Sequence, residues 1–182
     1  MKNEILCEIC TNLFNPKFLH FSVEGVPAAA VYNYDSTIRT YLYQFKGCFD
    51  YELYPVFLYR YANYLHFLYH DYIIIPAPSY IGDDEKRGFN HVEMIYSVLR
   101  LKIVKLFTKT EHHKQTDCTK EERTEIYKYL KVNEGIDISN KKVLIVDDVY
   151  TTGSTMKTMV NLVKKFKPLK IKIIVLSKTD IE

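Results

Sequence analysis

The chain has 182 residues, with 25 Lys+Arg against 22 Asp+Glu and a formal net charge of +3. That length buries a core without staples, and 47% hydrophobic with 26% charged residues excludes disordered and fibrous classes. Four cysteines are too few for a disulfide scaffold and suit a reducing compartment, so a cytoplasmic protein is expected.

Residues 1–25 read as a short head without clear periodicity, carrying a Cys7-x-x-Cys10 knuckle. Val26 to Tyr34 reads as a strand or hairpin arm ending at Asp35-Ser36, a plausible helix N-cap. Ile38, Tyr41, Leu42 and Phe45 follow at helical spacing, and Lys46-Gly47 is a stop signal. A second helix is predicted from about Asp50 to Tyr69. Its most apolar part, Tyr54 to Tyr69, contains Arg60, Asn63 and His66 and falls short of the ~18–20 apolar residues of a span. The first residues likewise lack the apolar core of a signal peptide. No membrane insertion is expected.

From Tyr72 the texture changes to short apolar runs between amphipathic stretches. Tyr72 to Pro76 is a buried strand meeting the loop Pro76-Ala77-Pro78, and His91 to Leu101 carries a helical stripe of Val92, Ile95, Tyr96 and Leu99. Ile103 to Phe107 is a short strand candidate, Thr108 to Thr119 a polar stretch, and Lys120 to Leu130 helical. Val143 to Val146 is a strand, Thr155 to Phe166 a helix and Ile171 to Leu176 a last strand. Strands separated by helices imply right-handed βαβ units and a mainly parallel sheet covered on both faces. Ligands bind at the carboxyl ends of such strands.

The segment Val143 to Met156, VLIVDDVYTTGSTM, carries the chemistry. An apolar strand delivers Asp147 and Asp148, and a turn of small hydroxyl residues around Gly153 opens a helix. Backbone N–H groups and the positive end of a helix make an anion site. Gly153 lets the backbone approach a phosphate closely, where a Cβ would obstruct. Two acids upstream can accept hydrogen bonds from vicinal sugar hydroxyls, so one loop would hold a phosphorylated ribose by both ends. The run also resembles a Walker B strand, but no G-x-x-x-x-G-K-[ST] occurs in the chain. A strand whose acids merely cap a helix is the plainest alternative.

VLIVDDVYTTGST resembles the phosphoribosyl-pyrophosphate (PRPP) loop of type I phosphoribosyltransferases. The segment from Ile73 to His91, with its Pro-x-Pro turn and Arg87-Gly-Phe-Asn90, is similar to the ComF branch of competence-associated proteins. Gln115 followed by Arg123, the stretch Tyr43 to Gly47 and the N-terminal Cys-x-x-Cys add to that likeness.

The resemblance implies an α/β type I phosphoribosyltransferase fold, a mainly parallel sheet flanked by helices, with a small N-terminal Cys-containing hood or knuckle. It divides the chain into a 1–25 head and a 26–182 phosphoribosyltransferase-like domain, with hood helices over 26–70 and a PRPP-binding core over 71–182. By the resemblance Asp147 and Asp148 are the catalytic acids, binding the ribose 2′- and 3′-hydroxyls directly or through Mg²⁺. Thr151, Thr152, Gly153, Ser154 and Thr155 wrap the 5′-phosphate, and Ala77, Pro78 and Ser79 form the pyrophosphate loop. Arg87 adds positive charge near the leaving pyrophosphate, or alternatively belongs to a Gly88-Phe89 turn with Asn90 capping a helix and Glu93 completing the box. Residues 108–123, including Lys109, Lys114, Gln115 and Arg123, correspond to the flexible loop that closes over the site. The family head usually carries two Cys-x-x-Cys pairs. Here Cys7 and Cys10 form one pair, with Cys48 and Cys118 alone, so a zinc knuckle and a vestigial head both remain open.

The implied function is binding of PRPP with Mg²⁺ and transfer of phosphoribose to an acceptor, within DNA uptake in natural competence. The alternative is a non-catalytic DNA-binding or scaffold protein of the competence machinery that retains a PRPP site. Its partners would be single-stranded DNA and a competence helicase. Lys157, Lys164, Lys165, Lys167, Lys170, Lys172 and Lys178, with no acid between Asp148 and Asp180, would steer a phosphate backbone, and the aromatics of Tyr51 to Tyr69 would stack bases. Core or dimer packing is the other use of those aromatics, and a homodimer is a further expectation.

Overall fold

Three apolar runs read from the sequence become neighbouring parallel strands. The computed structural model describes residues 13–109 and 130–179. Cys7, Cys10, Cys118, Lys114, Gln115, Arg123 and all but the last residue of the helix expected over Lys120 to Leu130 lie outside the described residues.

The main sheet contains β1 (Leu19–Val23), β2 (Val26–Asn33), β3 (Tyr72–Pro76), β6 (Lys142–Tyr150) and β7 (Lys170–Lys178) in the order β1-β2-β7-β6-β3. β2, β7, β6 and β3 run parallel, with Ile75 opposite Ile145 and Ile145 opposite Ile173, while β1 is an antiparallel edge strand. A separate antiparallel ribbon joins β4 (Phe107–Lys109) to β5 (Leu130–Val132).

The helices divide between the two faces. Leu144, Val146, Ile174 and Leu176 point into one core, and Val143, Ile145, Ile173 and Val175 into the other. This alternation buries both faces, which is why the central strands read as unbroken apolar runs. The first core is closed by α1 (Ser36–Gly47), α2 (Ala62–Tyr69) and α4 (His91–Ser97); the second by α5 (Ser154–Lys165), through Met156, Met159, Val160 and Val163. Asp35 starts α1 as expected, its side chain accepting from the Ile38 N–H at 2.9 Å.

Several expectations need correction. The head cannot be separated at residue 25, because Leu19–Val23 is part of the sheet and pairs with β2. The helix expected from Asp50 to Tyr69 is broken into 3-10 turns at Tyr51–Phe57 and Tyr59–Tyr61, and only Ala62–Tyr69 is α-helical. Pro55 lies in the first turn and has no N–H to continue an α-helix. Ile103 makes one bridge to Ile74 instead of starting a strand, and Leu130 begins β5 instead of ending a helix. An unforeseen helix, α3 (Ile81–Arg87), follows the Pro-x-Pro loop.

Candidate functional site

β6 outlasts its apolar run, so Asp147 and Asp148 lie within the strand and not beyond it. The turn Thr151-Thr152-Gly153 then leads into α5. Gly153 sits at φ +75°, and a Cβ there would run into the Tyr150 ring. That side chain is buried against Phe21, with ring centroids 4.8 Å apart. The local requirement for glycine is therefore both a left-handed backbone and a close ring. The Thr152 and Ser154 hydroxyls lie 3.1 Å apart, and α5 has no side-chain N-cap bond. Its first-turn amides have no partner within the helix and are directed to the start of the helix.

This turn lines a cavity of about 650 Å³ together with the loop after β3 and with Tyr34, Lys46, Arg87, His91 and Lys109. The cavity brings together Asp147, Asp148, Thr151 to Thr155, Ala77, Pro78, Ser79 and Arg87. Of the residues expected in the closing loop, Lys109 reaches it from the ribbon.

The two acids differ in surroundings. Asp148 is buried, and its Oδ2 lies 2.6 Å from Lys46 Nζ and 3.3 Å from His91 Nε2. Its Oδ1 accepts from the Val149 N–H at 2.7 Å. Burial pushes this carboxyl up, but Lys46 and His91 outweigh it and hold the group well below the usual range. Asp147 is half-buried, and its Oδ1 accepts from the Asp148 N–H at 2.8 Å. Burial, and then the charge of Asp148, push its carboxyl well up. The Asp148 charge also raises Lys46, which stays protonated against the opposing effect of burial.

Arg87 lines the cavity with its Nε and Nη1 donors already engaged. Nε donates to the Lys46 carbonyl at 3.2 Å, and Nη1 reaches Asp84 Oδ1 and His91 Nδ1, each at 3.1 Å. An arginine can only donate, so His91 Nδ1 accepts and the Nε2 proton points to Asp148. The turn described as the alternative is also present: Gly88 is left-handed at φ +83°, and Asn90 caps α4 by accepting from the Glu93 N–H at 2.9 Å. Ser79 is similarly engaged, accepting from Asn90 Nδ2 at 2.7 Å and donating to Asp84. Lys46 and His91 were not singled out from the sequence. Both lie in stretches that carried the family likeness, but 102 residues separate Lys46 from the acid it meets.

Other expectations find less local support. Lys164 donates to the Glu24 carbonyl at 2.8 Å, and Lys172 lies 5.4 Å from the Tyr69 ring. Phe57, Leu65 and Tyr69 are core, whereas Tyr64 and Phe67 are exposed. Among the described residues no group of three or more His, Cys, Asp or Glu could hold a metal ion, and Cys48 is an exposed free thiol. No helix among them is long and apolar enough to cross a membrane.

A phosphoribosyl transferase domain model matches residues 85–180, more than half of the chain. The chain belongs to that family. Within it, the resemblance to the ComF type holds: the competence protein ComFC of Streptococcus pneumoniae is 30% identical over 143 residues, 78% of this chain and 61% of that protein. The chain thus matches less than two thirds of that relative's length. A hypoxanthine-guanine phosphoribosyltransferase of Bos taurus is 49% identical over 47 residues, 24% of this chain and 22% of that enzyme. Among solved structures, a hypoxanthine-guanine phosphoribosyltransferase from Bacillus anthracis aligns at 13% identity and a TM-score of 0.45, covering 72% of this chain and 71% of that one.

Proposed function

We infer that the chain binds PRPP with Mg²⁺ and transfers its phosphoribose to an acceptor nitrogen, in a competence setting such as the name of its Streptococcus relative indicates. One observation carries this reading. Two carboxylates and a left-handed glycine turn at a helix start share one cavity, only a few residues apart on one strand–turn–helix unit.

In this reading the N–H and hydroxyl groups of Thr151 to Thr155 hold the 5′-phosphate, as a helix start favours an anion. Asp147 and Asp148 accept from the ribose hydroxyls. Asp147 and Asp148, with His91 Nε2 3.3 Å from Asp148, suit a hard cation held by one or two carboxylates and otherwise by water and substrate phosphates. Mg²⁺ bound there with PRPP would neutralise charge on the departing pyrophosphate. The C1′–oxygen bond to pyrophosphate breaks, a nitrogen–C1′ bond forms, and the nitrogen loses its proton. No protein nucleophile is needed, and catalysis rests on positioning and electrostatics.

The test mixes the protein with PRPP, Mg²⁺ and a panel of nitrogen bases and follows pyrophosphate release. Base-dependent release supports transfer. PRPP binding without release under any base would leave a binding protein, the alternative in which the site is kept without catalysis.

A further inference from the structure

Lys46 stands out because the cavity fixes it from three sides. It occupies the last turn of α1, just after Phe45, which is fully buried against Phe89 at 5.1 Å between ring centroids. Its carbonyl is held by Arg87 Nε, and its ammonium contacts the same Asp148 oxygen that His91 Nε2 approaches. The Lys46 side chain is 38% exposed, so it is reachable from the cavity, whereas that of Asp148 is 11% exposed.

We propose that Lys46 is a resident cation of the acid pair: it occupies Asp148 and keeps divalent metal off the carboxylates until a phosphorylated sugar brings the metal in. The proposal deepens the PRPP reading and rests on it for the identity of the ligand. Physically, a metal ion at Asp148 Oδ2 would have to sit beside a fixed ammonium. That repulsion is strong near a partly buried site, where charges are weakly screened. Phosphate oxygens arriving with the substrate supply the negative charge that offsets it. Lys46 is therefore a positioning residue, and it ties metal entry to substrate entry.

The experiment is a Mn²⁺ titration of the protein without PRPP, read by the resonance signal of free Mn²⁺. It uses the parent, Lys46→Gln, Lys46→Arg, and Lys46→Gln combined with Asp148→Asn. Lys46→Gln is expected to bind Mn²⁺ about tenfold or more tightly than the parent, since a like charge beside the ion is removed. Lys46→Arg keeps the charge and should behave as the parent, and Asp148→Asn should abolish the gain. A merely structural lysine predicts no such gain. Equal affinity in parent and Lys46→Gln, or a gain that survives Asp148→Asn, overturns the proposal. Should Lys46→Gln not fold, Lys46→Met takes its place with the same expected gain and the same overturning result, and Mn²⁺ bound by the parent and lost in Asp148→Asn also overturns the proposal. No PRPP is present, so this outcome is separate from failure of the PRPP reading itself.

Discussion

The two loops that face each other across the cavity solve opposite problems. After β6, Thr151 to Thr155 form a turn at the start of a twelve-residue helix with no side-chain N-cap bond; the Ser154 N–H reaches the Thr152 hydroxyl at 3.5 Å, and the other first-turn N–H groups have no partner within the helix. After β3, the Ala77 N–H is bonded to the Val146 carbonyl at 2.8 Å, Pro78 has no N–H, and Ser79 is held between Asn90 and Asp84. Even Arg87 points its Nε and Nη1 donors at protein acceptors. The first loop keeps first-turn N–H groups that its helix does not use, whereas the second is a braced wall whose donors are largely taken by the protein; in the proposed function the first meets the phosphate.

The largest expected effect is on the first loop. Gly153→Val would impose a β-branched side chain at φ +75° and drive it against Tyr150. PRPP binding should be lost and the melting temperature should fall, both measurable on one sample. Retained binding would mean that the turn is not the phosphate site. Asp148→Asn comes next. It keeps shape but removes the charge facing Lys46 and His91, and charge-assisted bonds of ~1.5–3 kcal/mol imply a roughly ten- to hundredfold loss of PRPP affinity.

Arg87→Met probes the braced wall and should show the reverse emphasis. It takes the Nε donor from the Lys46 carbonyl and one donor from Asp84, which keeps Ser79 and Asn90, so chemical denaturation should show a loss of about 1–3 kcal/mol, with a smaller change in PRPP affinity. A dominant loss of affinity at unchanged stability would erase the contrast between the loops. The smallest effect is a pH dependence. Asp148, held low, stabilises the fold fully above its ordinary value, and that contribution is lost as pH falls through its lowered folded value. Asp147, pushed up, has the opposite sign: its contribution is full at low pH and is lost as pH rises through the raised value. Asp147→Asn should therefore be more stable than the parent at neutral pH and lose that advantage in acid. Thermal melts across pH check it, and an advantage confined to acid would reverse the assignment.

What could be read from the sequence follows from burial. β3, β6 and β7 were legible because a strand covered on both faces must be apolar throughout, as Val143 to Val146 are. β1 was not, since Leu19–Val23 is a half-exposed edge with a mixed pattern. α3 was missed because Ile81–Arg87 buries no residue and so shows no stripe. That Asp147, Asp148 and Thr151 to Thr155 share one cavity was legible because they are local in sequence, on one strand–turn–helix unit. The Lys46–Asp148 and His91–Asp148 contacts were not, because they exist only once α1 and α4 pack beside β6.

In the proposed function the loop after β6 and its acids recognise the ribose-phosphate end of PRPP. Calorimetric titration of the parent and of Asp148→Asn with PRPP, ribose 5-phosphate and inorganic pyrophosphate tests it most directly. One saturable PRPP site is expected, with competition by ribose 5-phosphate, weak binding of pyrophosphate without Mg²⁺, and weakening of both sugar ligands in Asp148→Asn. A parent protein that binds no PRPP, or that binds pyrophosphate alone as tightly as ribose 5-phosphate, would contradict it.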